Sequence, residues 1–142
     1  MKNLFNYLSI ALVAYIAISC SNTSVKELDL LNGYWEIAEI ENSYGFTKEY
    51  SISQKIEFFE ITKEGKGVRK KVQPDINGNF TTSNSSQNID IEINDNIVFL
   101  KYSTEFDTWQ EEVLSITSNK LVLKNEDAYI YTYRRYQPIT TN

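Results

Sequence analysis

Asn88-Ile89-Asp90-Ile91-Glu92-Ile93, Asn94-Asp95-Asn96, then Ile97-Val98-Phe99-Leu100-Lys101-Tyr102: this stretch decides the fold class. Isoleucine alternates with Asp, Glu or Asn, which is the period of a strand buried on one face. Asn and Asp tolerate left-handed backbone, so the three residues that follow are expected to make a tight hairpin turn. The chain then returns with Val98, Leu100 and Tyr102 on one face, and Ile97 and Phe99 on the other.

The same grammar extends in both directions. Strand-like segments are expected over 34–40, 54–62, 68–73 and 80–82 upstream, and over 109–117, 121–124 and 128–136 downstream, with polar turns between them. Residues 83–87 are expected to form a polar loop, and the tail after Pro138 to be loose. Ser24-Val25-Lys26-Glu27 has the spacing of a capping box and is expected to start a short helical turn through Leu31, broken by Asn32-Gly33. No longer helical period occurs. The chain is therefore expected to be all-β, an antiparallel up-and-down meander. So long a meander must hide its edges by closing into a small barrel or by splitting into a β-sandwich.

Composition excludes much chemistry. The 142 residues contain no His and one Cys. A Ser-His-Asp or Cys-His catalytic unit cannot be built within one chain without His. His/Cys zinc sites and intrachain disulfides are excluded on the same counts. A formal charge of −5 argues against nucleic acid, whose binders need a basic face. No metal, cofactor or enzymatic activity is expected. Asp75-Ile76-Asn77-Gly78-Asn79 resembles part of a calcium loop, but Ser86 stands where that loop needs its closing Glu, so it is read as a turn. Glu57, Glu60, Asp107, Glu111 and Glu112 are candidate acid/base carboxylates that nothing in the sequence gathers into a pocket.

The amino terminus, residues 1–19, has a lysine after Met1, an apolar run over 4–18 and the small Ser19 before Cys20, the pattern of a secretory signal. Ala17-Ile18-Ser19-Cys20 resembles the lipobox of bacterial lipoproteins. That resemblance implies cleavage before Cys20, lipidation of its thiol and membrane attachment through the lipid. It further implies the outer membrane, since Ser21 is not the Asp of an inner-membrane retention signal; because Ser21 to Ser24 lack the acidic run of some surface-exported lipoproteins, the periplasmic side is expected, with surface exposure as the alternative. A mature chain of 20–142 loses Lys2 and carries −6. Residues 20–27 are expected to be the lipidated Cys and a polar tether, and 28–142 a single domain.

Leu30-Leu31-Asn32-Gly33-Tyr34-Trp35-Glu36-Ile37 resembles the opening of lipocalin-type barrels, and the chain is similar to small lipocalin-like lipoproteins of Bacteroidota. The resemblance implies that Trp35 closes the barrel base and that Arg134 or Arg135, from the last strand, packs across it. Tyr129, Tyr131 and Tyr133 form a stripe that is either cross-strand packing or a ligand or partner surface, with Phe58 and Phe99 as further candidates. Lys63, Lys66, Arg69, Lys70 and Lys71 are read as a solvated basic hairpin, with contact to an anionic partner as the alternative. Two functions follow as expectations. The first is binding of an apolar or amphipathic small molecule inside the barrel; the second is a side-chain-filled barrel serving as accessory to an envelope protein.

Overall fold

The computed structural model describes residues 25–137, the side chains of Val25, Lys26, Ser83 and Asn84 excepted. Cys20, the leader and the tail after Pro138 lie outside them. A short 3-10 helix, Val25–Leu31, leads into nine strands: β1 (Gly33–Glu41), β2 (Thr47–Glu49), β3 (Ile56–Ile61), β4 (Lys66–Pro74), β5 (Phe80–Asn94), β6 (Ile97–Ser103), β7 (Thr108–Ile116), β8 (Lys120–Asn125) and β9 (Ile130–Arg135). All described pairings are antiparallel, and the last strand pairs with the first. Eight strands thereby circle a closed up-and-down barrel, with β2 laid against the outer half of β1. Closure through β1–β9 excludes the sandwich.

The deciding hairpin forms as its sequence dictates. Asp95 and Asn96 both adopt positive φ, 49° and 66°, in a two-residue turn of the primed type that matches strand twist. Ile89, Ile91 and Ile93 pair with Tyr102, Leu100 and Val98 on the inner face. That stripe fades toward the hairpin: Ile89 is 1% exposed and Ile93 is 43% exposed.

Two local expectations are corrected. Residues 83–87 are not a loop but the middle of the 15-residue β5. They carry no alternation because β6 joins β5 only from Asn88 onward, so this part has no second neighbour strand to bury a face. The hydrogen bonds to β4, with an irregularity between Lys70 and Val72, make the strand. β2 was not anticipated, since all three of its residues are exposed and carry no apolar signal. The short helical turn expected from the capping box through Leu31 is present as the 3-10 helix Val25–Leu31.

The barrel is filled at one end. Leu28 and Leu31 from the 3-10 helix, with Trp35, Phe59, Ile89, Leu100, Val113, Ile116, Leu121 and Leu123, form its core. A second, smaller cluster sits outside the wall. Ile56 and Val72 are 0% and 4% exposed yet face outward with Glu36 and Phe58. Tyr34 stacks on Phe80 at 4.3 Å and packs on Phe58 at 4.8 Å. Residues 50–53 form a strap beside this cluster, held by Arg134, whose guanidinium donates to the Tyr50 and Ser51 carbonyls and to Glu36.

Candidate functional site

Strand parity places the candidates. In β9, Tyr131, Tyr133 and Arg135 point inward and Arg134 outward, because their β1 and β8 partners do the same. Arg135 is therefore the residue that crosses Trp35, with its guanidinium carbon 3.7 Å from the ring centroid. Its nitrogens donate to the carbonyls of Leu30, Asn32 and Ser118, and the Trp35 indole N–H donates to the Leu31 carbonyl. Gly33 makes room: its φ is +112°, and a Cβ there would come within 3.0 Å of Arg135 Nη1. The Gly-x-Trp spacing thus serves to plug the base.

Phe58 belongs to the outer cluster and Phe99 faces outward opposite Glu92 and Glu112, so neither lines the interior. Tyr129 lies in the turn before β9, its backbone N–H donating to the Asn125 side chain. Of the tyrosine stripe, only Tyr131 and Tyr133 reach the interior.

The upper half of the barrel is open. β1 and β3 pair only between Gly33 and Glu36 on one side and Phe59 and Ile56 on the other, and then part. The space left is a cavity of about 400 Å³, bounded by Ile37, Ile40 and Tyr131 on one wall, with Lys55 and Lys71 among its exposed lining residues.

Its floor is charged, which corrects the reading of Arg69 as part of a solvated basic hairpin. Arg69 is 8% exposed. Its Nε donates to Glu57 Oε2 at 3.0 Å, Nη1 to Glu111 Oε2 at 3.2 Å and Nη2 to the Tyr133 hydroxyl at 3.3 Å. The Tyr102 hydroxyl donates to the same Glu111 oxygen at 2.7 Å. Phe59 and Tyr102 flank the guanidinium, their ring centroids 5.4 and 5.3 Å away. Glu57 and Glu111, scattered in the sequence, are thus gathered by one cation. Lys63, Lys66, Lys70 and Lys71 do not share this burial.

The signal that would have found this floor is parity. Glu57 stands two residues before the inward Phe59, and Glu111 midway between Trp109 and Val113. Once one residue of a strand is known to face inward, its second neighbours follow. The sequence alone does not supply that first residue.

Burial disfavours the charged guanidinium, but Tyr133, Tyr102 and the two carboxylates more than offset it and raise its proton affinity above the ordinary arginine value. Burial, opposed by Arg69 and reinforced by Glu111, raises the Tyr102 and Tyr133 hydroxyls above the usual tyrosine range. A raised pKa in the fold contributes stability that is complete below the unfolded value of about 10 and is lost as pH rises beyond it. The denaturation midpoint is therefore expected to fall as pH climbs past 10, with two tyrosines ionising only on unfolding. Full tyrosinate absorbance in the still-folded protein at that pH would contradict this placement.

Among the described residues no group of three His, Cys, Asp or Glu is placed to hold a metal, and no helix is long and apolar enough to cross a membrane. No known family matches the chain, and no curated protein is significantly similar to it. Among solved structures, it is similar to a lipocalin-like protein from Bacteroides uniformis, with 12% identity and a TM-score of 0.48, over 75% of this chain and 99% of the other. An uncharacterized protein from Bacteroides eggerthii gives the same values.

Proposed function

We propose that this chain is a lipid-anchored envelope lipoprotein whose barrel binds a small amphipathic molecule in its open half. The observation that carries this is the cavity of about 400 Å³ above a solid core, a size within the usual range of ligand pockets. Its charged floor narrows the expected ligand, apolar or amphipathic, to an amphipathic one. Ile37, Ile40 and Tyr131 suit an apolar portion, while Glu57, Arg69 and Glu111 require polar partners, since a bare apolar group would leave their charges poorly solvated. The accessory reading fits the lower half of the barrel, which side chains fill; it does not account for a cavity over an ionic floor.

The anchor is inferred from the Ala17-Ile18-Ser19-Cys20 spacing. Lipid chains contribute about 0.8 kcal/mol per buried methylene, and two or more hold a protein stably to a bilayer. Cys20→Ala is expected to move the protein from the membrane to the soluble fraction; continued membrane attachment would refute lipidation. Native mass spectrometry of gently purified protein tests the cavity. A bound small molecule is expected, and an occupant-free protein that takes up no amphiphile would sink the reading.

A further inference from the structure

We propose that the open end of the barrel docks a cationic amphipathic polypeptide segment, with apolar side chains against the loop tips and basic ones against the carboxylates beside them. None of those tips or flanking carboxylates lines the cavity, so the surface stands apart from the ligand reading.

The up-and-down order fixes which connections share an end. The open end holds residues 42–55 (β2 among them), 75–79, 104–107 and 126–129. The closed end holds 62–65, 95–96 and 117–119, together with the 3-10 helix. Exposed apolar side chains follow this division. Tyr44, Phe46, Ile52, Ile76 and Phe106, each at least 75% exposed, and the less exposed Tyr129 all lie in open-end connections. The closed-end connections carry no large exposed hydrophobic; Ile93 and Ile97 only flank the turn between β5 and β6. Single exposed apolar residues are ordinary, but their collection at one end of a molecule marks an interaction surface.

Charge decides the occupant. Connections 75–79, 104–107 and 126–129 carry Asp75, Glu105, Asp107, Glu126 and Asp127 and no lysine or arginine. The acids sit beside the tips: Ile76 follows Asp75, Phe106 stands between Glu105 and Asp107, and Tyr129 comes two residues after Asp127. Connection 42–55 adds Glu49, Lys48 and Lys55, so six carboxylates face two lysines and the open end carries −4. On the outer wall the carboxylates are paired instead: Asp90 with Lys66, Glu92 with Lys101, Glu112 with Lys124 and Glu36 with Arg134. Among the described residues, none of the six open-end carboxylates joins an ion pair.

Other occupants fit less well. An anionic bilayer surface repels these carboxylates. The chain also enters the fold at the opposite end, through the 3-10 helix, so the proposed anchor would hold the plugged base toward its membrane. A second copy set end to end would bring carboxylates against carboxylates. A cationic amphipathic segment satisfies the tips and the charges together.

The test uses full-length protein with Cys20→Ala, which keeps lipid out of the measurement. It is titrated calorimetrically with a Leu/Lys amphipathic helical peptide and with its Leu/Glu counterpart. The Leu/Lys peptide is expected to bind, more weakly as salt rises, and the Leu/Glu peptide not to bind. Tyr44→Ser with Phe106→Ser, both at exposed positions, is expected to weaken binding about tenfold or more. Asp107→Asn with Glu126→Gln and Asp127→Asn is expected to weaken it and flatten its salt dependence; Asn at 107 keeps an acceptor for the Thr108 N–H. Ile97→Ser and Glu64→Gln, at the closed end, are expected to leave binding unchanged. Equal binding of the Leu/Glu peptide, or closed-end losses as large as open-end ones, would overturn the proposal. Flotation with phosphatidylethanolamine–phosphatidylglycerol vesicles that Phe106→Ser abolishes would overturn it in favour of a bilayer. Self-association in sedimentation that the Tyr44/Phe106 change abolishes would overturn it in favour of a second copy. Failure of the Leu/Lys peptide to bind would overturn it outright. The small molecule sought in the cavity is a separate readout, so either reading can fail alone.

Discussion

Replacing Arg69 with methionine is expected to destabilise the protein by about 3–5 kcal/mol, the usual cost of removing one partner from a buried ion pair. The reason is what remains. Glu57 and Glu111, with side chains 12% and 8% exposed, would lose the guanidinium that both carboxylates bond. Tyr133 would also lose the guanidinium that donates to its hydroxyl. Urea denaturation of the variant measures the loss. The triple change Arg69→Met, Glu57→Gln and Glu111→Gln removes all three formal charges and is expected to recover most of it, because isolated charge rather than lost volume causes the damage. A cost under about 1 kcal/mol for Arg69→Met alone would mean that cavity water solvates the carboxylates well enough to replace the cation. The floor would then be a weaker constraint on the ligand.

Trp35→Ala is expected to cost about 3–5 kcal/mol, the range for deleting a large buried aromatic from a core. Trp35 is 0% exposed and touches two structures at once: the 3-10 helix through its indole N–H and the last strand through Arg135. Its loss opens a void at the closed end and releases the helix that seals it. A double-mutant cycle with Arg135→Ala isolates the cation–ring contact, expected at about 0.5–2 kcal/mol. Arg134 is the control. It lies on the opposite face, so its coupling to Trp35 is expected to be near zero. Equal coupling for the two arginines would contradict the parity assigned to β9.

Legibility differed between the fold and the site. The strands from Asn88 to Tyr102 were readable because one face is core and the other solvent, which prints a period of two into the residues. The upper part of β5 and the whole of β2 were not readable, since strands with little buried surface need no such pattern. Their partners' hydrogen bonds define them, and those partners lie elsewhere in the chain. The closing role of Trp35 was implied by the resemblance of Gly33-Tyr34-Trp35 to the opening of lipocalin-type barrels, but the choice between Arg134 and Arg135 required knowing which face of β9 turns inward.

Arg69 marks the boundary most clearly. By residue type it belongs to a run of basic side chains, and most such runs are solvated. It is buried because β4 enters the barrel with Gly67, Arg69 and Lys71 on the inner face, while Val68, Lys70 and Val72 look out. That assignment inverts what hydrophobicity alone would choose for this strand. Alternation and turn chemistry were enough, by themselves, to establish an antiparallel meander, because each is a local consequence of backbone geometry; the plugged base was implied only by the resemblance of the Gly-Tyr-Trp opening to lipocalin-type barrels. The tertiary structure alone decided which face of each strand is inside, and with it the cavity and its ionic floor. A slip of one residue exchanges every inward and outward side chain, and contacts between Glu57, Arg69 and Glu111 span up to 42 residues of chain.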